Sequence, residues 1–216
     1  NFSKYFLNSM ILSVGTVALS IIMTTTSAYV VGKFVHPVIK SIEIFYSIFM
    51  MVPQVLLLIP LFQMCKKMNL NKDNIVLFTL MITNALQGVP FYVFLLTPFM
   101  RSINNSILEA AEIDGANQFQ AFITLILPMV VPAIFMVGLL SFVGIWNEYI
   151  MSITFIKNED KYTLSAGING LMNNSRAGYT LKFAALIIAM LPILIVYAIF
   201  QKPLQNGLSS SDGVKG

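Results

Sequence analysis

Ser102 to Gln120 reads SINNSILEAAEIDGANQFQ, a polar island between two long apolar runs. Its centre, Glu109-Ala110-Ala111-Glu112-Ile113-Asp114-Gly115, sets three acids close together beside small residues. Ser106, followed at the third position by Glu109, has the pattern of a capping box: the hydroxyl accepts from the Glu109 amide and the carboxylate from the Ser106 amide. A helix is expected to start there. Gly115 suits the left-handed conformation that ends a helix, which makes the helix about two turns long. Ile107, Leu108 and Ala111 share a face by their three- and four-residue spacing. Isolated helices this short are marginal in water, so a partner surface is expected against that face. An ordinary helix lying at a membrane interface fits the same pattern.

Outward from the island the chain is apolar. Hydrophobic residues make up 57% of it and charged residues 10%, with a mean hydropathy of +0.80, which places it among membrane proteins. Twenty-eight uncharged residues separate Lys4 from Lys33, more than the roughly 20 that a spanning helix needs. Ser13, Thr16, Ser20, Thr24, Thr25, Thr26 and Ser27, with Gly15 and Ala18, make this run a packing face for other helices or the lining of a polar path. Ile44 to Cys65 is long enough for a second crossing, expected to kink at Pro53 and Pro60. Asn74 to Met100 is a third, and its Asn84 and Gln87 must find protein or water because amides are costly in hydrocarbon. Gln54, Asn84 and Gln87 are the candidates for a translocation path. Gly115 to Asn147 is expected to run along the interface to Leu127, bend at Pro128 and Pro132, and cross to about Trp146. Thr163 to Leu181, rich in Gly and Asn, reads as a polar loop. Phe183 to Gln201 is the last crossing, and residues 202–216 have the composition of a flexible tail. Five spans result.

Several kinds of chemistry are absent from the pattern. No P-loop, HExxH or nucleophile elbow occurs. Cys65 is the one cysteine, which excludes an internal disulfide. The net charge of +4 is spread through short loops, so no nucleic-acid surface forms. His36 reads as a solvated loop residue beside Pro37, and Glu148 as an acid at a helix end near an aromatic boundary. A proton-driven carrier needs a titratable group deep in a span, and none of the five runs holds one.

Glu109 to Ile134, EAAEIDGANQFQAFITLILPMVVPAI, resembles the EAA loop of ABC-importer permeases, with Glu109-Ala110-Ala111, Gly115 and Ile126-Leu127-Pro128 in place. Asn8-Ser9, Ala28-Tyr29, Trp146-Asn147-Glu148-Tyr149, Tyr162-Thr163-Leu164, Gly207-Leu208 and Gly213-Val214-Lys215-Gly216 resemble the carbohydrate-importer branch, and within it the shorter permease similar to the second membrane subunit of the maltose system. The resemblance implies an all-α, polytopic type I ABC-importer transmembrane domain over residues 1–216, lying in the cell membrane. It implies a coupling-helix loop at about 102–120 that seats in the ATPase, with Ser106, Leu108, Glu109, Ala110, Ala111, Asp114, Gly115 and Pro128 as coupling residues. An extracytoplasmic loop at about 163–181 would direct Asn173, Asn174 and Arg176 toward a sugar-binding protein. The implied partners are a second permease in a heterodimer, ABC ATPase subunits, the binding protein and the bilayer. The chain itself would hold no cofactor and hydrolyse nothing, since ATP and Mg belong to the ATPases. That family has six spans in this subunit, so a first span is expected upstream of Asn1.

With the acidic loop cytoplasmic, five basic residues fall inside and eight outside, counter to the positive-inside rule. The motif, not the charge count, sets the expected orientation. An amino-acid or phosphate permease is the alternative within the importers. A secondary carrier or channel would not need an Ala-rich docking helix, and a membrane scaffold would dock without transporting.

Overall fold

The computed structural model describes residues 1–174 and 178–212, among which every regular element is helical. Four helices precede the acidic loop: α1 (Phe2–Lys33), α2 (Pro37–Met50), α3 (Gln54–Lys67) and α4 (Val76–Ser102). The loop and its exit carry α5 (Ser106–Ile113), α6 (Gln118–Ala121) and α7 (Leu127–Met129), with π-helix over Phe122–Ile126. Then come α8 (Val131–Trp146), α9 (Ile150–Phe155), α10 (Leu164–Asn173) and α11 (Tyr179–Asp212). Among the described residues α1, α4 and α11 as far as Gln201 are long and apolar enough to cross a membrane. Two broken pairs, α2 with α3 and Gln118–Met129 with α8, bring the number to five if each is one span.

The second crossing is not the single kinked helix expected over Ile44 to Cys65. Helix α2 stops at Met50, and Pro53 stands in extended conformation (ψ 122°) as the N-cap of α3. A residue before proline avoids the helical region, so a stop is open to the chain wherever neighbouring contacts do not hold it helical. Pro60, Pro90 and Pro98, by contrast, remain inside helices. His36 is not idle: its Nδ1 accepts the Val38 N–H (3.2 Å) and caps α2. Thr163 to Leu181 is likewise not all loop, because Thr163 Oγ1 accepts the Ala166 N–H (3.4 Å) and starts α10. Helix α11 continues to Asp212, past the point where the composition suggests a flexible tail. The bend at Pro128 and Pro132 is present, as a 76° break between Gln118–Met129 and α8.

The chain divides into two compact units. One holds Asn1–Leu19, Pro53–Gln87 and Leu139–Ile199. Leu12, Leu80, Phe155 and Ile156 form one of its cores, with Phe62 edge-on to Phe155 at 5.3 Å; Phe142, Trp146 and Leu164 form another, with Phe6 edge-on to Trp146 at 5.5 Å. In lipid, burial of apolar surface drives helices together far less than in water, so polar ties between them carry more of the specificity. Asn8 Nδ2 donates to the carbonyls of Asp160 (2.9 Å) and Tyr162 (3.0 Å), and the Leu164 N–H donates to Ser9 Oγ (2.7 Å). Trp146 Nε1 donates to the Ala189 carbonyl (3.0 Å). Lys4 donates to Asp160 (2.9 Å), which holds that carboxyl below the usual carboxylate range.

The other unit holds Ser20–Val52, Gly88–Gly138 and the chain from Phe200 onward. Tyr29, Leu96, Met100, Ile103, Phe122 and Ile126 lie in its core. A Cβ at Gly32 would fall 2.6 Å from the Met100 Cβ, so glycine is what lets α1 and α4 meet there. In each unit most hydroxyls of α1 are turned into protein: Ser13, Thr16, Ser20, Thr24 and Thr25 are buried, the packing role rather than the lining of an open path, whereas Thr26 is exposed and donates to the Ile22 carbonyl (2.8 Å).

Candidate functional site

The acidic loop is built without the expected capping box at Ser106 and Glu109. The Ser106 N–H donates to Asn104 Oδ1 (3.1 Å), and the Glu109 N–H to the Asn105 carbonyl (3.0 Å). An asparagine two residues ahead of the helix competes for the donor that the box would use. The reciprocal box forms at the next helix, where Asn117 Oδ1 accepts the Gln120 N–H and Gln120 Oε1 accepts the Asn117 N–H, both at 2.9 Å. The end of α5 follows the sequence. Gly115 has φ +84°, its N–H donates to Glu112, and the Ala116 N–H reaches back to Ala111 (2.9 Å), the pairing of a Schellman motif. Asp114 is the C-cap.

The face expected to dock is turned inward. Ala111 is buried, and half-buried Ile107 and Leu108 pack on the core around Met100 and Phe122. A two-turn helix satisfies its apolar stripe against its own chain first. Ser106, Glu109, Ala110 and Asp114 face outward with two large apolar side chains the spacing did not single out: Ile113, 87% exposed, and Phe119, 72% exposed. Ile113 lies off the i, i+3, i+4 stripe, and Phe119 lies beyond the glycine. An apolar residue flanked by acids and amides was the available signal for both.

Polar ties hold the loop to the end of α1. Lys33 Nζ donates to the Ile103 carbonyl and to Asn105 Oδ1 (3.1 Å), just ahead of α5. Tyr29 Oη donates to Gln118 Oε1 (3.0 Å), and Gln118 Nε2 donates to Glu112 Oε1 on α5. The Tyr29 ring rests against Phe122 at 4.7 Å. The helix is thus held on both sides by neighbouring residues of α1. Exposed Pro128 follows the π-helical stretch at the second position of α7, where a missing N–H is tolerated.

Gln54, Asn84 and Gln87, chosen separately in the sequence, line one cavity of about 440 Å³ with Asn147, Glu148 and Tyr149. Asn84 is buried and its Nδ2 donates to the Leu80 carbonyl (2.8 Å), while Gln87 Nε2 reaches Met151 Sδ at 3.7 Å. Glu148 is more than an acid at a helix end: Oε1 accepts the Met151 N–H, and Oε2 accepts the Ser152 N–H (3.0 Å) and hydroxyl (2.8 Å), so the carboxylate caps α9. Asn173 and Asn174 close α10, with Asn173 Nδ2 donating to Asn169 Oδ1 (2.9 Å) and Asn174 lining a larger cavity of about 600 Å³ with Tyr5 and Tyr162. Arg176 lies outside the described residues. Among the described residues no group of three or more His, Cys, Asp or Glu could hold a metal ion.

Helices long and apolar enough to cross a membrane, an exposed apolar side chain on each of the loop helices α5 and α6, and an amide-lined cavity are the features of a multi-pass membrane protein. The chain belongs to the family of binding-protein-dependent transport system inner membrane components, which matches residues 20–210. It is 31% identical over 211 residues to the diacetylchitobiose uptake system permease protein of Streptomyces coelicolor, covering 97% of this chain and 69% of that protein. It is 30% identical over 213 residues to the melibiose/raffinose/stachyose import permease protein of Bacillus subtilis, covering 98% and 75%. Its fold is similar to that of a bacterial ABC transporter involved in the import of the acidic polysaccharide alginate, with a TM-score of 0.79 over 93% of this chain and 74% of that chain at 22% identity.

Proposed function

We propose that this chain is a permease subunit of an ATP-driven saccharide importer, paired with a second permease, docked on ATPase subunits through the loop at 102–120, and supplied by an extracytoplasmic binding protein. Membership of the family supports the transport role, and the saccharides that the relatives are named for support the cargo class. The observation that supports the docking is the outward stance of Ile113 and Phe119 on a loop tied to the end of α1 through Lys33 and Tyr29. An exposed apolar pair flanked by acids and amides on a loop held by its own chain fits a protein groove. ATP binding would move that groove and with it α5; the Lys33 and Tyr29 ties would pass the motion to α1, biasing the subunit between two states.

The proton-driven alternative loses support, because the Glu148 carboxylate is committed to three donors of its own chain. The test is reconstitution of the chain with its second permease and ATPases in vesicles, with the binding protein added outside. ATP-dependent uptake of a labelled saccharide, with ATP hydrolysis stimulated by the loaded binding protein, is expected. Uptake that proceeds equally without ATP contradicts the reading.

A further inference from the structure

We propose that the cavity lined by Gln54, Asn84, Gln87, Asn147 and Tyr149 is a glycosyl subsite for an uncharged saccharide that disfavours acidic sugars. The proposal rests on the saccharide-importer reading and narrows its cargo, which among the similar proteins ranges from a neutral raffinose to an acidic polysaccharide. The volume, about 440 Å³, is within the range of small-molecule sites.

Its donor and acceptor set fits hydroxyl groups. Gln54 makes no hydrogen bond among the described residues, and the Asn84 and Asn147 amides each spend one N–H on a carbonyl of their own helix, which leaves their oxygens to accept. The Gln87 contact to Met151 sulfur is long and weak, so a hydroxyl can replace it. Each amide offers a donor and an acceptor side by side, which matches the dual character of adjacent sugar hydroxyls. Val55, Leu58 and Ile150, with the Tyr149 ring, supply apolar surface for the C–H face of a pyranose.

Its charges fit an uncharged ligand. The cavity contains no Lys, Arg or His, and its one ionisable carboxylate is Glu148, whose oxygens are spent on Met151 and Ser152. A uronate or phosphate would meet a negative charge and no cation, the juxtaposition that rejects a ligand.

The experiment uses the assembled importer with Cys65→Ala and Gln54→Cys, and follows alkylation of the new thiol by a maleimide in the presence of raffinose, maltotriose, diacetylchitobiose or trimannuronate. Because the readout is at the cavity, the preference of the binding protein does not enter. At least one neutral sugar is expected to slow labelling about fivefold or more, trimannuronate not at all, and Gln87→Leu is expected to abolish the protection, read as the ratio of its labelling rates with and without sugar. Uptake is measured in parallel on vesicles that carry Cys65→Ala alone. Protection by trimannuronate equal to that by the neutral sugars overturns the charge preference. No protection from a neutral sugar that the vesicles import overturns the subsite and leaves the importer reading standing. Protection without ATP-driven uptake overturns the importer reading and leaves the subsite. Failure of both readouts overturns both.

Discussion

On the acidic loop two large apolar side chains, Ile113 and Phe119, are turned outward, while Lys33 is tied to Asn105, and Tyr29 to Gln118 and through it to Glu112. In the amide cavity the informative groups are polar: Leu80 and Phe155 pack into the interior, and Gln54, Asn84 and Gln87 line the cavity beside Val55, Leu58 and Ile150. A buried polar group or an exposed apolar one is the informative exception to ordinary burial, and each region shows one of the two. The loop has the surface of half an interface between proteins. The cavity has the surface of a site for a small polar solute. Substitutions should therefore separate along the same line, with loop changes acting on ATPase attachment and cavity changes on cargo.

The largest effect is expected at Gly115. Valine there would hold a β-branched residue at positive φ, a cost of about 1–3 kcal/mol, and since nothing lies within 4 Å of the added Cβ the cost is in the backbone. Gly115→Val should insert normally, lose its ATPase on purification, and import at least about tenfold more slowly. Wild-type attachment would show that the Schellman turn does not position α5.

Two tryptophan substitutions at adjacent positions sharpen the contrast between docking and folding. Ala110 is exposed and Ala111 is buried, so the two bulky groups meet different neighbours. Ala110→Trp should leave the thermal stability of the purified permease unchanged and displace the ATPase. Ala111→Trp should overpack the chain's own core at a cost of about 1–3 kcal/mol and lower the melting temperature before any partner is added. The reverse pattern would mean that α5 docks by the Ile107, Leu108 and Ala111 face after all.

Tyr29→Phe removes one hydrogen bond, worth about 0.5–1.5 kcal/mol, and keeps the ring on Phe122. ATPase attachment should survive while more ATP is hydrolysed per sugar imported. An unchanged ratio would remove the Tyr29, Gln118 and Glu112 chain from the coupling path. Glu109→Ala should matter least. The residue takes no part in a capping box, and its first-turn charge is worth about 0.3–1 kcal/mol at a helix N-terminus. A severe loss of transport there would mark Glu109 as a direct contact with the partner.

The sequence and the structure agree most where a local rule has one outcome. Gly115 demanded a left-handed turn, and the chain takes it. The uncharged runs demanded helices, and three of them stand as expected. Asn84 had to find a partner and has one in the Leu80 carbonyl, while Gln87 keeps only a long contact to Met151 sulfur and otherwise lines the cavity. Proline and asparagine were harder to read because each has two uses. Pro53 stands in the break between α2 and α3 where Pro90 and Pro98 are carried inside a helix, and what decides is contacts that a window of sequence does not contain. Asn104 and Asn117 both precede helices; one pre-empts the capping box at Ser106 and the other completes one with Gln120. The glycines of 163–181 suggested a loop, yet α10 forms because Thr163 caps it and Leu164 is buried and anchored to Ser9. Asn8-Ser9 and Tyr162-Thr163-Leu164, some 150 residues apart, looked like unrelated family marks until the fold joined them by hydrogen bonds. Ile113 and Phe119 escaped notice because helical periodicity finds the stripe a helix buries, not the residues it offers to a partner.

The most direct test of the docking claim is site-specific cross-linking from these two side chains. Cys65 is buried and is the one native thiol, so a Cys65→Ala background gives a clean start. Ile113→Cys and Phe119→Cys, each carrying a benzophenone maleimide, should on irradiation of the assembled importer yield an adduct with the combined mass of this chain and one ATPase subunit. Lys72→Cys, exposed in the loop between α3 and α4, should yield none. An importer that remains assembled and active but gives no ATPase adduct from either loop position, or gives one equally from position 72, would contradict the account.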